Sequence, residues 1–201
     1  MASLSSKTEA LLRLARKGPF RAKDLDAAKI PRPYLRRLCD RGVLDRVDRG
    51  LYRLVGAPAS ELQSLAQVAK RVPRGIICLL SALEVHGLGT EAPHAIWLLL
   101  DRRARTPKLG YPRIEVVHAS GAALEHGVEV RVIDGVKVRI TTPAKTVADC
   151  FRFRRHIGLE LALAALRDYL RTRQGTIDAL LEAARADRIH AVIRPYVEAL
   201  T

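Results

Sequence analysis

The sequence predicts an α+β protein of two domains, the first at residues 1–58 and the second at residues 59–201. Three observations predict this class. Short amphipathic segments with helical spacing come first, a hairpin pattern follows them, and strand-like and helix-like segments alternate in the rest of the chain. The 201 residues are 48% apolar, which is enough to bury a core in each domain. Pro58, in a Gly- and Pro-containing stretch, marks the boundary.

The first 42 residues predict three short helices. Apolar residues recur at helical spacing around residues 11–15, and Gly18 with Pro19 ends this first helix. A second helix spans residues 22–28, and a third runs from residue 33 to 41, where Gly42 stops it. Tight turns therefore separate all three helices.

The third predicted helix has two chemically different sides. Leu35 and Leu38 lie on one side at three-residue spacing, whereas Arg36 and Arg37 lie on the opposite side. Residues 43–55 then predict a small hairpin, because two apolar or alternating runs flank Asp48-Arg49-Gly50. The helix thus presents cations away from its leucines, with a hairpin directly after it.

Three short helices followed by a hairpin are typical of a winged helix-turn-helix, whose third helix enters the DNA major groove while the hairpin lies on the backbone. An ordinary solvated face is the alternative for any arginine-rich helix. The element order and the side on which the cations lie favour double-stranded DNA as the partner. The predicted DNA contacts are Arg32, Tyr34, Arg36, Arg37, Arg41, Arg46 and Arg49.

The charge balance favours the same kind of partner. The chain carries 35 Lys and Arg against 21 Asp and Glu, a formal net charge of +14, which points to a polyanion. Residues 1–58 alone hold 14 of these cations against six acidic residues. Three widely spaced cysteines and no long apolar run predict a cytoplasmic protein without a secretion signal or a membrane span.

The second domain predicts a mixed sheet with helices. Asp134-Gly135 is a strong two-residue hairpin signal, and Thr142-Pro143 is a cap and first-turn pair. We expect one helix from Pro143 to Arg155 and a helical C-terminal stretch from Leu159 onward. The predicted strands are 95–100, 113–118, 128–133 and 136–140, and two further helices are predicted at 60–72 and 81–86.

Catalytic machinery is not recognisable in the second domain. No lysine follows an acidic residue by two positions, as a metal-dependent nuclease site requires, and no paired-histidine zinc pattern, nucleotide-binding glycine loop or nucleophile elbow occurs. We therefore predict a protein that is not an enzyme, with no catalytic residue, no metal and no cofactor.

Two basic clusters in the second domain remain open to two interpretations. Solvation and favourable charge at a helix end explain them. The alternative is a second contact surface for DNA or for an acidic or nucleic-acid-bound protein. This possible second basic surface comprises Arg102, Arg103, Arg105, Arg152, Arg154 and Arg155.

Three segments resemble one known family. The stretch from Gly18-Pro19-Phe20 to Leu54, with the wing sequence Arg49-Gly50-Leu51-Tyr52-Arg53-Leu54, is similar to the N-terminal winged helix of the AbiEi-type antitoxins of type IV toxin-antitoxin (abortive infection) systems. The segments 81–88 (SALEVHGL) and 142–149 (TPAKTVAD) are similar to two central signatures of that family. The resemblance covers nearly the whole chain, and none of its motifs is catalytic.

The resemblance implies a transcriptional repressor that binds repeats in its own promoter through the winged helix, while the C-terminal domain counters a nucleotidyltransferase-like toxin. Three alternatives stay open: a stand-alone winged-helix regulator without an antitoxin role, a nuclease-derived nucleic-acid-processing protein, and a module that uses the winged helix to dock a protein.

Overall fold

The chain forms two compact units in the computed structural model, which describes residues 6–16, 18–55, 62–89, 93–109 and 112–201. The first unit comprises residues 1–73 together with 132–138, and the second comprises 74–131 together with 139–201. The predicted boundary at Pro58 lies outside the described residues, so the domain limits stay a prediction.

The first unit has the predicted order of three helices and a hairpin. Its elements are α1 (Ser6–Arg16), β1 (Phe20–Arg21), α2 (Ala22–Ala27), α3 (Arg32–Asp40), β2 (Leu44–Asp48), β3 (Leu51–Leu54) and α4 (Gln63–Arg71). The strands form an antiparallel sheet in the order β1-β3-β2. Strand β1 was not predicted, because a strand of two residues is too short to show an alternation of apolar and polar residues.

The hairpin of β2 and β3 closes through a bulge. Leu44 pairs with Leu54 and Arg46 pairs with Tyr52, after which the register shifts by one residue. Gly50 occupies the left-handed region with a φ of +73°, a conformation that glycine adopts without steric cost. The glycine therefore allows the tight connection that the sequence predicted.

The core of the first unit joins all three helices. Leu11 of α1, Leu25 of α2, and Leu35 and Leu38 of α3 are buried in one apolar cluster. Phe20 belongs to the same cluster and stacks on the ring of Tyr52, with 6.0 Å between the ring centroids. The leucine side of α3 is thus fixed against the unit, which leaves its other side for solvent.

The second unit holds seven helices among the described residues and most of a mixed five-stranded sheet, of whose last two strands residues 132–138 are grouped with the first unit. Its strands are β4 (Ile76–Ile77), β5 (Ile96–Asp101), β6 (Ile114–Ala119), β7 (Val128–Ile133) and β8 (Val136–Thr141), and the sheet order is β6-β5-β4-β8-β7. Strand β5 runs parallel to β6 and antiparallel to β4, whereas β4 runs parallel to β8. The helices are α5 (Leu79–His86), α6 (Ala122–Glu125), α7 (Pro143–Arg152), α8 (Arg154–Ile157), α9 (Leu159–Thr172), α10 (Ile177–Ala186) and α11 (His190–Leu200).

Helix α7 lies at the centre of this unit. Every residue from Ala144 to Phe151 is buried, and the helix contacts α5, α9, α10 and α11. Phe151 packs against Tyr196 of α11, with 5.3 Å between the ring centroids. The predicted cap is confirmed, since the Thr142 hydroxyl accepts a hydrogen bond from the Lys145 amide and Pro143 opens the first turn.

Two helix predictions for the second unit are wrong in extent. The helix predicted from Pro143 to Arg155 ends at Arg152, and Arg154 starts the separate helix α8. The Arg154 guanidinium donates to the Phe151 carbonyl at 2.7 Å, which satisfies an acceptor that the ended helix leaves open. The helical stretch predicted from Leu159 onward breaks into α9, α10 and α11.

The predicted α+β fold is confirmed. It has N-terminal helices with a small sheet, then a mixed sheet with further helices.

Candidate nucleic-acid interface

Helix α3 presents a buried apolar side and an exposed basic side. Leu35 and Leu38 are 6% and 4% exposed, whereas the Arg36 side chain is 87% exposed. Arg32 and Arg37 are exposed as well. Because the leucines are anchored in the core, the arginines are held outward on a rigid helix rather than on a loop.

The start of α3 has no side-chain cap. Pro31 occupies the cap position and a second proline, Pro33, lies in the first turn. Neither proline has an N–H, and the Tyr34 amide donates to the Pro31 carbonyl at 3.1 Å, so few amides at this end are left without a partner. This accounts for a helix start that lacks the usual Ser, Thr, Asp or Asn.

The arginines of α3 make only weak contacts with carboxylates. Arg32 lies 3.3 Å from the Asp26 carboxylate, and Arg36 lies 3.9 Å from the Asp40 carboxylate, with all four side chains more than half exposed. Exposed pairs of this kind contribute little free energy, so a phosphate or a base edge can replace either carboxylate at small cost.

Arg37 is held by an aromatic ring. Its guanidinium carbon lies 5.6 Å from the centroid of the Tyr34 ring, within the range of a cation–π contact. Tyr34 is half-buried, so its ring is a fixed support. The contact limits the rotamers that Arg37 samples, which lowers the entropy cost of binding a ligand.

The remaining predicted contacts lie just after α3 and on the hairpin. Arg41 caps the C-terminal end of α3, Arg46 lies on β2 and Arg49 in the β2–β3 turn, and all three are exposed. Arg53 of β3 was not among the predicted contacts. Its side chain is half-buried and bonded to Asp45 at 3.2 Å, so it stabilises the hairpin instead.

The residues of the predicted second basic surface differ in the cavities that they line. Arg102 follows β5 and Arg152 ends α7, and both line a cavity of about 340 Å³. Arg103 lines a neighbouring cavity of about 600 Å³ that also includes Arg102. Arg105, Arg154 and Arg155 line neither of these two cavities.

The second unit contains a buried ion cluster that was not predicted from the sequence. Lys145 is fully buried and its ammonium donates to Asp149 and to both carboxylate oxygens of Asp187, the latter at 2.8 and 3.1 Å. Burial opposes a charge on Lys145, but the two carboxylates outweigh it and raise the pKa of the ammonium. Lys and Asp four residues apart within an apolar helix face are a signal for part of this cluster, whereas nothing local indicates Asp187.

A buried histidine, His86, lies in the first segment quoted for the central signatures and bonds to Thr141, the residue just before the second. His86 Nε2 lies 2.7 Å from the Thr141 carbonyl, and the Arg131 guanidinium lies 3.2 Å from His86 Nδ1. Since Arg131 can only donate, Nδ1 accepts and Nε2 carries the proton that it donates to Thr141. Burial lowers the pKa of His86 and favours this neutral form. Its contacts assign the histidine a structural role.

The described residues contain no group of three or more His, Cys, Asp and Glu side chains that could hold a metal ion. Within the same part of the chain, none of the helices combines the length and the apolar character that a membrane span requires.

Comparison with known proteins relates the N-terminal segment to a family of transcriptional regulators. Residues 9–55 match the family model described as "Transcriptional regulator, AbiEi antitoxin". The fold resembles the crystal structure of the RV2827C protein from Mycobacterium tuberculosis, with a TM-score of 0.59, 13% sequence identity, and coverage of 98% of this chain and 83% of that one. No curated protein matches the chain. The N-terminal segment of the chain, which holds the helix-turn-helix and the hairpin, is thus similar to the AbiEi antitoxin transcriptional regulators.

Proposed function

We propose that the chain is a DNA-binding antitoxin that represses its own operon through the first unit. One observation carries the DNA-binding part: α3 holds Arg36 and Arg37 outward from a side that Leu35 and Leu38 anchor in the core. A helix with this arrangement, in a helix-turn-helix followed by a hairpin, fits the major groove of double-stranded DNA.

The predicted contacts divide by the chemistry that each position allows. Arg36 and Arg37, midway along α3, are placed to read guanine edges, because a guanidinium bonds both O6 and N7 of that base. Arg32 and Arg41, at the two ends of the helix, are placed for phosphates. Arg46 and Arg49 of the hairpin would lie along the backbone, and Tyr34 supports Arg37.

Replacing Arg36 and Arg37 tests this proposal. We expect Arg36→Ala with Arg37→Ala to weaken binding of the full chain by roughly tenfold or more, since each bidentate contact to guanine contributes ~1–3 kcal/mol. The measurement is a fluorescence anisotropy titration at fixed salt, on the duplex that lies upstream of the reading frame.

The matched control is Arg113→Ala with Arg194→Ala. These arginines of the second unit are 77% and 62% exposed, and each forms an ion pair as Arg36 does. The control removes the same charge, so a loss from net charge alone would appear in both double variants. Equal affinities of the two variants would contradict the assignment of α3.

We propose that the second unit supplies the antitoxin activity. The family match at residues 9–55 and the resemblance of residues 81–88 and 142–149 to antitoxin signatures support this proposal. The partner it implies is a nucleotidyltransferase-like toxin encoded by a neighbouring reading frame. Repression of the operon and neutralisation of the toxin would then use different parts of the chain.

Co-expression with that toxin tests whether repression and neutralisation use different parts of the chain. We expect the full chain to restore growth, and the variant Arg36→Ala with Arg37→Ala to restore it equally, because the helix that binds DNA is not needed for neutralisation. Growth arrest that the full chain leaves unchanged would contradict the antitoxin role and favour a stand-alone regulator.

A further inference from the structure

The cavity that Arg102 and Arg152 line lies at the end of two parallel strands. Strands β5 and β6 are paired in register up to Asp101 and Ala119, and the Arg102 amide donates to the Ala119 carbonyl at 2.9 Å. The chain leaves β5 at Arg102 and leaves β6 at Ser120, and both residues line the cavity. Crevices outside the carboxyl ends of parallel strands are the usual place for ligands in sheets covered by helices.

Three arginines from three different elements line this cavity. Arg102 follows β5, Arg152 ends α7 and Arg188 follows α10. The side chains of Arg102 and Arg188 are exposed and make no ion pair or hydrogen bond with any described residue. No acidic side chain of the described chain lines the cavity, whose volume is about 340 Å³. The lining therefore carries three cations and no acidic side chain.

The buried ion cluster holds the third arginine in place. Arg152 Nη1 donates to the Asp187 carbonyl at 3.0 Å and lies 3.7 Å from the Asp187 carboxylate. Asp187 is itself fixed by Lys145, and the Arg152 guanidinium lies 5.4 Å from the centroid of the Phe153 ring. A guanidinium has five N–H donors, so the contact with the Asp187 carbonyl leaves other N–H groups of Arg152 available to a ligand.

Arg188 occupies a position where glycine would be easier to accommodate. Its φ is +59°, and its amide and the next one close the end of α10 by donating to the carbonyls of Arg185 and Ala184. A residue with a Cβ adopts this left-handed conformation at a steric cost that glycine does not have. The arginine stands there despite that cost, which favours a role for its side chain.

We propose that this cavity, the arginine pocket, binds the terminal phosphate of a small phosphomonoester of nucleotide size. Three guanidinium groups around a concave site suit a dianionic phosphate, which offers three oxygens to donors from different directions. A phosphodiester within a nucleic acid carries one charge and needs both of its substituents to leave the cavity, so a DNA backbone fits it less well. The pocket residues belong to the second unit, whereas α3 belongs to the first.

Binding of adenosine 5′-monophosphate to the full chain tests the proposal. Isothermal titration calorimetry should detect binding of this nucleotide and its displacement by inorganic phosphate, whereas adenosine should not bind. The variant Arg102→Gln with Arg188→Gln should weaken binding by roughly tenfold or more, because each lost charge-assisted hydrogen bond is worth about a factor of ten. Both residues are exposed, so the substitutions leave the fold intact.

The matched control is Arg105→Gln with Arg155→Gln, which removes the same charge from exposed positions that do not line the pocket. Equal losses in the two double variants would overturn the proposal, as would equal binding of adenosine or no binding of the nucleotide and of phosphate. If Arg102→Gln with Arg188→Gln instead weakened duplex binding tenfold, the arginines would form a surface for phosphodiesters, and the pocket assignment would be wrong. None of these outcomes depends on Arg36 and Arg37, so a failure here is distinct from a failure of the DNA interface.

Discussion

Asp149 is the residue whose environment differs most from that of an ordinary carboxylate. It is fully buried on α7, and its Oδ2 accepts no hydrogen bond from any described residue. Burial raises its pKa to about 7, a rise that Lys145 opposes and the nearby Asp187 increases. Near neutral pH, the cluster of one lysine and two carboxylates can therefore bind one further proton, on a carboxylate. Removing a single member of such a cluster is costly, because it strands the remaining charges in the core.

This environment predicts how the stability of the second unit changes with pH. A carboxyl with a pKa of about 7 in the folded chain and 3.8 in the unfolded chain favours folding at low pH, and that contribution is lost as pH rises from 4 to 7. For one proton the loss approaches ~1.4 kcal/mol per pH unit. Urea unfolding of the full chain at pH 5 and pH 8 measures it.

Asp149→Asn is the matched variant for this measurement, because the amide is neutral at every pH and has nearly the shape of the protonated acid. Between pH 4 and 7, the free energy of unfolding of the variant should not show the decrease that Asp149 causes in the wild-type chain. An identical dependence on pH in the two chains would mean that Asp149 stays charged when it is folded.

At the scale of elements, turns and helix ends could be predicted from the sequence, because the residues within them determine their conformation. The Asp134-Gly135 turn has φ values of +48° and +71°, the pair of positive angles that a two-residue hairpin turn requires. Gly87 ends α5 in the left-handed region, and the Leu88 amide closes the helix on the Leu83 carbonyl at 2.8 Å. The break between α9 and α10 was missed although it carries a local signal, since Gly175 precedes the capping Thr176.

Gly87 gives a prediction at this scale. A Cβ at this position meets nothing within 4 Å, so Gly87→Ala should cost only the penalty of a left-handed conformation, ~1–2 kcal/mol of the free energy of unfolding. Gly87→Asn is the control, because asparagine tolerates the same conformation better and should cost less. Equal losses from both substitutions, measured by urea denaturation, would argue against the cap.

At the scale of the whole molecule, the composition and the order of the elements indicated the class of partner. The contacts between residues far apart in the sequence could not be predicted. The net charge of +14 and the concentration of cations in residues 1–58 indicated a polyanionic partner from the sequence alone. The parallel pairing of β5 with β6 could not be predicted, because it depends on how a long connection crosses the sheet. Asp187 lies 42 residues from Lys145 in sequence, so neither the ion cluster nor the arginine pocket has a local signature.

The charge of the molecule also predicts how DNA binding responds to salt. Each phosphate contact releases condensed counterions, so the slope of log K against log salt should decrease in magnitude by ~0.9 for each contact removed. If both arginines contact the backbone, we expect Arg46→Ala with Arg49→Ala to reduce the magnitude of the slope by about twice this amount. A slope that this substitution leaves unchanged would place the hairpin away from the DNA.

Dimethyl sulfate interference on the upstream duplex tests most directly whether α3 lies in the major groove. The reagent methylates guanine N7 in the major groove and adenine N3 in the minor groove, so it reports which groove the protein occupies. We expect methylation of particular guanines to block binding of the wild-type chain, and those guanines to lose their effect when Arg36→Ala with Arg37→Ala binds. Interference at adenines alone, or the same guanine pattern with both arginines removed, would contradict the account.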